Sequence, residues 1–161
     1  MDSMLLNPIG VIRTPFETLE GMPIQPTGAE QFNGRVVLEP QYEDGLADID
    51  GFSHLFLIYL FHQSQGFQLT VKPFLDDQRR GLFATRAPRR PNPVGLSIVT
   101  LLRREKNVLH VGHIDVVDGT PLLDIKPYVP AFDAPRAASI GWLEGKVERS
   151  RWLRSDERFK S

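Results

Sequence analysis

The chain has 161 residues and a mass of 18.2 kDa, which is enough for one hydrophobic core and too little for two ordinary domains. Hydrophobic residues make up 41% of the chain and charged residues 24%, a globular composition that excludes a disordered or fibrous protein. There is no cysteine, so disulfides and thiolate metal sites are excluded.

Charge is distributed unevenly along the chain. Residues 1–78 hold 3 of the 19 basic side chains and 11 of the 20 acidic ones, so residues 79–161 are net positive. This excess predicts a basic face for an anionic partner such as RNA, although halves of a sequence need not be halves of a surface. No apolar run approaches the roughly 18 residues of a membrane span, and the N-terminus lacks the features of a signal peptide. We therefore expect a cytoplasmic protein that does not enter a membrane.

Two short strands separated by a long loop open the chain. Residues 4–13 predict a strand that ends at Thr14-Pro15, and residues 34–39 predict a second strand. The loop between them, residues 16–33, contains glycines and prolines that suit turns and prevent a helix. Loops of this length are more often functional than idle, so residues 25–28 are interpreted as a ligand-facing turn, with a disordered loop as the alternative.

The most apolar stretch is residues 52–63, which follows a turn or short helix at residues 42–50. Its aromatic and β-branched content favours a strand buried on both faces, although periodicity alone leaves a helix open. The stretch ends at His62-Gln63, a polar pair expected either at the rim of a barrel or as a simple strand cap. His54 would lie roughly 26 Å from His62 along such a strand, so the two cannot share a metal ion.

Residues 81–97 are the most conformationally restricted stretch of the sequence. Pro91 and Pro93 enclose Asn92 and exclude both a helix and a central strand, so a rigid loop is predicted. The same loop brings together three arginines: Arg86, Arg89 and Arg90. Guanidinium groups held beside a fixed amide suit phosphate, carboxylate or a base edge, because little side-chain entropy is lost on binding. A solvated basic turn between two strands is the alternative.

The remaining strands are predicted at residues 68–72, 94–103, 107–117 and 120–128. Asp118-Gly119 joins the last two and predicts a tight hairpin, because glycine supplies the positive φ that such turns need. On the last strand, the alternation of side chains places Asp124, Lys126 and Tyr128 on one face. These three form either an acid–base set or a surface ion pair beside a tyrosine.

The repeated short strands with Gly and Pro turns predict a mainly β fold, a single-domain antiparallel β-barrel-like structure. The sequence contains none of the Rossmann, P-loop, zincin or G-x-S-x-G motifs, so a non-Rossmann fold is expected. No metal site is expected either. The barrel is placed at residues 1–135, and a basic C-terminal extension, packed on it or trailing from it, at residues 136–161.

Taken together, several segments resemble the TsaA-like (YaeB, TrmO) proteins. The matching segments occur in the family's order at residues 7–15, 52–55, 62–63, 83–86, 90–97 and 118–128. This combination is far more specific than any single motif. Val94 stands where the family usually has Ile, and the chain ends at residue 161, where bacterial members continue into a further C-terminal domain. The basic tail is expected to take over part of that domain's contact with RNA.

The resemblance implies a tRNA methyltransferase that uses S-adenosylmethionine, has a β-barrel-like domain and works as a homodimer. The implied reaction is N6-methylation of threonylcarbamoyladenosine beside the anticodon of threonine tRNA. The implied cofactor contacts are Pro26, Thr27, Gly28, His62, Gln63, Arg86, Leu96, Asp118, Gly119, Thr120 and Pro121. Without the resemblance, Leu96 would be interpreted as a plain core residue.

Further roles follow as hypotheses. Methyl transfer from a sulfonium is an in-line displacement, so the enzyme mainly aligns donor and acceptor. The catalytic candidates are Asp124 and Tyr128, either of which would remove or orient the proton on the acceptor N6. The groups expected to contact RNA are Arg89, Arg90, Asn92 and Lys126. A non-catalytic RNA-binding barrel, or a methyltransferase acting on another RNA or a small molecule, stays open.

Overall fold

The computed structural model describes residues 3–25, 32–156 and 158. Its strands are β1 (Gly10–Arg13), β2 (Asn33–Leu38), β3 (His54–Leu60), β4 (Thr70–Val71), β5 (Arg80–Gly81), β6 (Val94–Glu105), β7 (Val108–Gly112) and β8 (Thr120–Pro127). A short helix, α1 (Pro130–Asp133), follows, and 3₁₀ turns lie at Pro40–Leu46, Ile49–Gly51, Leu82–Ala84, Gly141–Leu143 and Val147–Arg151. Within the described ranges, no helix is long and apolar enough to cross a membrane.

Six of the strands close an antiparallel barrel in the order β1-β2-β7-β6-β3-β8, and β8 returns to pair with β1. The predicted mainly β, barrel-like fold is therefore confirmed. β6 shifts register against β7 between Leu101 and Arg103, and β3 shifts against β8 between Ile58 and Tyr59. Such irregularities bend strands, and this bending helps six short strands to close.

Alternate residues of the strands build the barrel core. On β3, Leu55, Leu57 and Tyr59 are at most 3% exposed, whereas the residues between them are half-buried on the outer wall. The other core side chains are Ile12, Val36, Leu38, Leu46, Val99, Leu109, Val111, Ile114, Val116 and Leu122. Full burial of one such Leu or Ile contributes about 1.5–3 kcal/mol. The predicted full burial of β3 on both faces is wrong, because its outer residues are apolar without being enclosed.

The predicted hairpin between β7 and β8 is also wrong. β7 ends at Gly112, β8 begins at Thr120, and β8 pairs with β1 and β3. Gly119 does adopt a positive φ of 78°, and its N–H donates to the Ile12 carbonyl at 2.9 Å. The turn therefore directs the chain to β1, a neighbour that is remote in sequence and that no local signal indicates.

A small sheet of β4 and β5 lies outside the barrel. It packs through its own apolar cluster of Val71, Phe74, Leu82 and Ala87. The Asp76 carboxylate, 9% exposed, contacts Arg80 at 2.6 Å and Lys146 at 3.0 Å. Burial raises the pKa of Asp76, but hydrogen bonds from Lys146 and Arg80 lower it by more, so it lies well below its usual range.

The segment after α1 packs against this small sheet. Trp142 Nε1 donates to the Ala84 carbonyl at 2.7 Å. The Trp142 ring also lies 5.6 Å from the cationic groups of Arg80 and Lys146. Cation–π contacts and the ion pairs of Asp76 therefore attach the C-terminal segment to the small sheet.

Farther along, the C-terminal segment reaches the loop between β1 and β2. The Ser155 N–H donates to the Met22 carbonyl at 2.8 Å, and the Ser155 hydroxyl donates to the Leu19 carbonyl. Pro23 and Arg154 form an antiparallel bridge beside these bonds. The C-terminal segment thus holds part of a loop that is remote in sequence.

Candidate active site

One end of the barrel holds a cavity of about 40 Å³, bordered by the loops that follow β3 and β7. Apolar and aromatic side chains form most of its wall: Leu19, Met22, Tyr59, Phe61, Val116 and Val117. Its other lining residues are His62, Gln63, Ser64, Asp115 and Thr120. A largely apolar pocket with a few convergent polar groups is the usual form of a small-molecule site.

Three of the predicted cofactor residues meet at this cavity: His62, Gln63 and Thr120. His62 and Gln63 lie in a turn just beyond β3, closed by the Ser64 N–H donating to the Phe61 carbonyl at 3.0 Å. Thr120 begins β8, and its buried hydroxyl donates to the Val117 carbonyl at 2.7 Å. Strand ends that are far apart in sequence thus bring these residues to one end of the barrel.

A buried polar chain that the sequence analysis did not identify leads to the same cavity. The Tyr59 hydroxyl lies 2.9 Å from Ser97 Oγ, which donates to Asp115 Oδ1 at 2.6 Å. Tyr59 and Ser97 are at most 3% exposed, and Asp115 is half-buried at the cavity. The only signal in the sequence was an acidic residue inside the apolar run of residues 107–117, which the strand interpretation passed over.

Burial raises the pKa of Asp115 to about 6, although the hydrogen bond from Ser97 and the charge of Arg86 each favour the ionised form. Burial, with the nearby charge of Asp115, also raises the pKa of Tyr59 far above its ordinary value. At neutral pH the end of the barrel therefore combines a neutral phenol with a largely ionised carboxylate.

The arginine-rich loop lies beside this end of the barrel. Arg86 is exposed, its Nη1 donates to Gln25 Oε1 at 2.9 Å, and its charge acts on Asp115 and Tyr59. Residues 85–93 form no helix or strand, as predicted for a rigid loop. Asn92 is exposed, and its carbonyl accepts the Val94 N–H at 2.8 Å.

The arginines of this loop have different environments. Arg90 Nη1 donates to the Thr85 and Ala87 carbonyls at 2.9 and 3.1 Å, and its guanidinium lies 5.7 Å from the Phe83 ring. Arg89 Nε donates to the Gln65 carbonyl at 2.8 Å and so ties the loop to the turn after β3. Arg90 thus braces the loop from within, a role that residue spacing did not reveal, while its predicted contact with RNA stays a prediction.

The outer wall of the barrel beside this loop is apolar. Its side chains come from adjacent positions on β3 and β6: Phe56, Ile58, Leu60, Val94, Leu96 and Ile98. Leu96 is 55% exposed, so the interpretation of it as a core residue is wrong. Leu96 pairs with Ile58, which in turn pairs with Asp124 on β8. A predicted cofactor residue and a predicted catalytic residue therefore lie in one row on the outer wall.

The predicted catalytic face contains an ion pair. Asp124 Oδ2 lies 2.9 Å from Lys126 Nζ, and Asp124 Oδ1 accepts the Ile125 N–H at 2.9 Å. The Tyr128 ring packs edge-on against Phe56 with centroids 5.5 Å apart. This arrangement agrees with the surface ion pair considered from the sequence, and it also places a carboxylate beside the apolar wall.

Asp118 lies in a second, open cleft of about 450 Å³. Its carboxylate contacts Arg13 Nη1 at 3.3 Å and accepts the Thr14 N–H at 2.9 Å. Arg13 pairs across the strands with Arg35, and Arg35 pairs with His110. Arg13, Arg35 and His110 therefore line this cleft together with Asp118, which offsets the charge of Arg13.

Other predicted cofactor residues fall around the turn before β8 or outside the described ranges. Gly119 forms the turn itself, and half-buried Pro121 pairs with Val11 of β1. Pro26, Thr27 and Gly28 lie outside the described residues. Among the residues that are described, no cluster of three or more His, Cys, Asp or Glu side chains is arranged to hold a metal ion.

The fold and the cavity define a small closed β-barrel with a mixed polar and apolar pocket at one end, a class distinct from nucleotide-binding Rossmann domains. The model of the tRNA-methyltransferase O N-terminal domain family matches residues 11–134. The chain belongs to this family, which confirms the resemblance found in the sequence.

Relatives with known names support the same placement. A "probable S-adenosyl-L-methionine-binding protein" of Pyrococcus abyssi is 47% identical over 154 residues, covering 96% of this chain and 84% of that protein. The tRNA (adenine(37)-N6)-methyltransferase of Escherichia coli is 37% identical, covering 89% of this chain and 66% of the relative. The crystal structure of TrmO from Pseudomonas aeruginosa matches with a TM-score of 0.74 and 38% identity, covering 88% of this chain and 63% of that one. This chain thus spans less than two-thirds of the last two proteins.

Proposed function

We propose that this protein is a methyltransferase that uses S-adenosylmethionine to methylate N6 of an adenosine in tRNA. The acceptor we propose is threonylcarbamoyladenosine beside the anticodon of threonine tRNA, in the cytoplasm. Family membership and the names of the relatives support the reaction class. The observation that carries the proposal is the barrel-end cavity, where family-matched residues such as His62 and Thr120 meet beside the arginine-rich loop.

The residues at the cavity fit a nucleoside-type cofactor by their chemistry. Aromatic and apolar walls suit a purine, while the Gln63 amide and the His62 imidazole offer donors and acceptors for a base edge or a ribose. The cavity of about 40 Å³ is far smaller than the roughly 300 Å³ typical of ligand pockets. The bound molecule must therefore extend past the rim of the cavity. Its contribution to the reaction is an electrophilic methyl group.

The chain's own part in the reaction is to position the acceptor. An N6 that bears a carbonyl substituent is a weak nucleophile, so a nearby acceptor for its proton assists the attack. Asp124 supplies such a carboxylate, and its Oδ2 forms an ion pair with Lys126 Nζ at 2.9 Å. Tyr128, packed on Phe56, forms the adjoining aromatic surface for a base. Ile58 and Phe56 of the apolar wall pair with Asp124 and Lys126 across the neighbouring strands, so the reacting atoms would lie beside an apolar surface.

Binding of tRNA is proposed for the exposed part of the arginine-rich loop. Arg86 and Asn92 are exposed, and Arg89 lies between them in the sequence. Arg90 keeps the loop rigid through its carbonyl contacts, so the exposed groups are held in place before RNA binds. Exposed Arg35 adds a positive charge to the barrel surface beside the Arg13–Asp118 ion pair.

A homodimer is proposed to form through the apolar outer wall. Six neighbouring apolar side chains on β3 and β6 are at least partly exposed there, and a second copy of the same wall would bury them. Such a dimer would place Leu96 and Asp124 at the interface between subunits. Sedimentation of an Ile98→Glu variant tests this: a monomer is expected, and an unchanged dimer would exclude this wall as the interface.

The reaction is tested by incubating purified protein with S-adenosylmethionine and unmodified or threonylcarbamoylated tRNA, then measuring nucleosides by mass spectrometry. An Asp124→Asn variant should lose at least about 100-fold in rate with unchanged melting temperature. Asp77→Asn, which changes a carboxylate that is 98% exposed beside the small sheet, serves as the matched control. No binding of S-adenosylmethionine at millimolar concentration would instead favour the non-catalytic RNA-binding barrel.

A further inference from the structure

The Asp115 carboxylate lies at the barrel-end cavity, where the charge of Arg86 acts on it from beyond ion-pair distance. Among the described residues, no Lys, Arg or His nitrogen lies within 4 Å of its oxygens. Its identified side-chain partner is Ser97, which donates to Oδ1 at 2.6 Å. The other described residues that line the cavity are apolar or neutral, except for the titratable His62.

A purely structural role does not account for a carboxylate at this position. An asparagine oxygen accepts the same hydrogen bond from Ser97 and avoids the free-energy cost of placing a charge among apolar side chains. The raised pKa of Asp115 reflects this cost, and a pKa of about 6 still leaves the group mainly ionised at pH 7. A negative charge that is maintained at a cavity points to a positively charged ligand group.

We propose that Asp115 binds a cationic group of the methyl donor, and so selects ligands that carry positive charge at the end of the barrel. The inference rests on the proposed function, because it takes the cavity to be part of the donor site. S-adenosylmethionine carries two such groups, the sulfonium and the α-ammonium, and the chemistry that Asp115 recognises is common to both. Tyr59 and Ser97 act as positioning residues, since they hold the carboxylate from behind.

Binding of three related ligands to wild type and to Asp115→Asn tests the proposal by calorimetry. S-adenosylmethionine carries both cations, S-adenosylhomocysteine only the ammonium, and methylthioadenosine neither. Loss of a charge-assisted contact should weaken S-adenosylmethionine binding roughly tenfold or more, while methylthioadenosine binding changes less than twofold. If S-adenosylhomocysteine loses as much affinity for Asp115→Asn as S-adenosylmethionine does, the ammonium is the group bound. If the affinity for S-adenosylhomocysteine is unchanged, the sulfonium is the group bound.

Two outcomes overturn the proposal: unchanged binding of S-adenosylmethionine to Asp115→Asn, or an equal loss for all three ligands, which would indicate a structural role. Asp77→Asn is the matched control, because that exposed carboxylate does not line the cavity. If wild type binds none of the three ligands, the proposed function itself fails, and this result is distinct from a selective loss in the variant.

The pH dependence of wild-type binding gives a second test that does not depend on folding of the variant. Protonation of Asp115 should weaken S-adenosylmethionine relative to methylthioadenosine as the pH falls from 7.5 to 5, through the pKa of about 6. The titratable or charged groups that face Asp115 are Tyr59, Arg86 and His62. A His62→Gln background removes the imidazole from the comparison. If the ratio of the affinities for S-adenosylmethionine and methylthioadenosine is independent of pH in this background, the proposal is contradicted.

Discussion

Replacing Gly95 with alanine tests how tightly the end of the barrel is packed. A Cβ atom at this position would lie 2.2 Å from Cε2, 2.5 Å from Cζ and 2.8 Å from Cδ2 of the Tyr59 ring. These distances are far below van der Waals contact, and the ring is only 3% exposed. Moving the ring away would break the 2.9 Å contact of its hydroxyl with Ser97.

The expected loss of stability follows from these contacts. Overpacking in a core costs about 1–3 kcal/mol, and a lost buried hydrogen bond about 1 kcal/mol more. The free energy of unfolding of Gly95→Ala should therefore fall by about 2–4 kcal/mol. For a protein of this size the melting temperature should fall by roughly 5–15 °C.

Urea denaturation followed by circular dichroism measures the effect. Gly81→Ala is the control, since a Cβ on this other strand glycine would meet nothing within 4 Å, and its stability should change by less than about 0.5 kcal/mol. Tyr59→Leu should remove most of the additional cost of Gly95→Ala in the double variant. If Gly95→Ala unfolds like wild type, or if Tyr59→Leu leaves its cost unchanged, the packing argument is wrong.

Three further predictions concern charged groups. The pKa of Asp76 is depressed, so the contribution of this carboxylate to stability is present above about pH 4 and is lost as the pH falls below that value. The urea midpoints at pH 7 and pH 3 should therefore differ less in Asp76→Asn than in wild type. An equal difference in the two proteins would refute this prediction. The pKa of Asp115 is raised, so the folded state is stabilised below about pH 4 and loses that stabilisation as the pH rises through about 6. At pH 7, ligand-free Asp115→Asn should therefore be more stable than wild type by about 1–3 kcal/mol in thermal melts. A less stable variant would contradict the free-energy cost of burying the charge. Arg90→Ala should lower the free energy of unfolding by about 1–3 kcal/mol, because its contacts with loop carbonyls are lost. Arg86→Ala should keep the wild-type melting temperature but bind tRNA more weakly in a filter-binding assay. Equal melting temperatures for the two variants would show that Arg90 does not brace the loop.

Much of the barrel could be predicted from the sequence because its strands follow local rules. The apolar run after residue 52 and the glycine at position 119 correctly predict a strand and a turn. The pairing of the strands could not be predicted in the same way, since β8 pairs with β1 and β3 instead of with the preceding strand. Closure of a barrel depends on contacts between distant segments, which alternation and turn residues do not encode.

The site shows the same limit. The resemblance to the family predicted His62, Gln63 and Thr120, which the fold brings together, whereas their roles and those of the remaining site residues stay predictions. Asp115 was passed over because an acidic residue in a strand is ordinarily a solvent-facing one. Arg90 was predicted to contact RNA because the spacing of arginines in the sequence does not show that its guanidinium already donates hydrogen bonds to loop carbonyls. Burial and partners, which only the folded chain defines, distinguish these residues.

The bonds between Ser155 and the loop at Leu19 and Met22 have a consequence for the order of biosynthesis. The ribosome adds Ser155 more than 100 residues after the segment that it secures. A nascent chain in which all six strands of the barrel have been synthesised still lacks these hydrogen bonds. One wall of the cavity is therefore tied down only in the last stage of translation, after the rest of the barrel has been made.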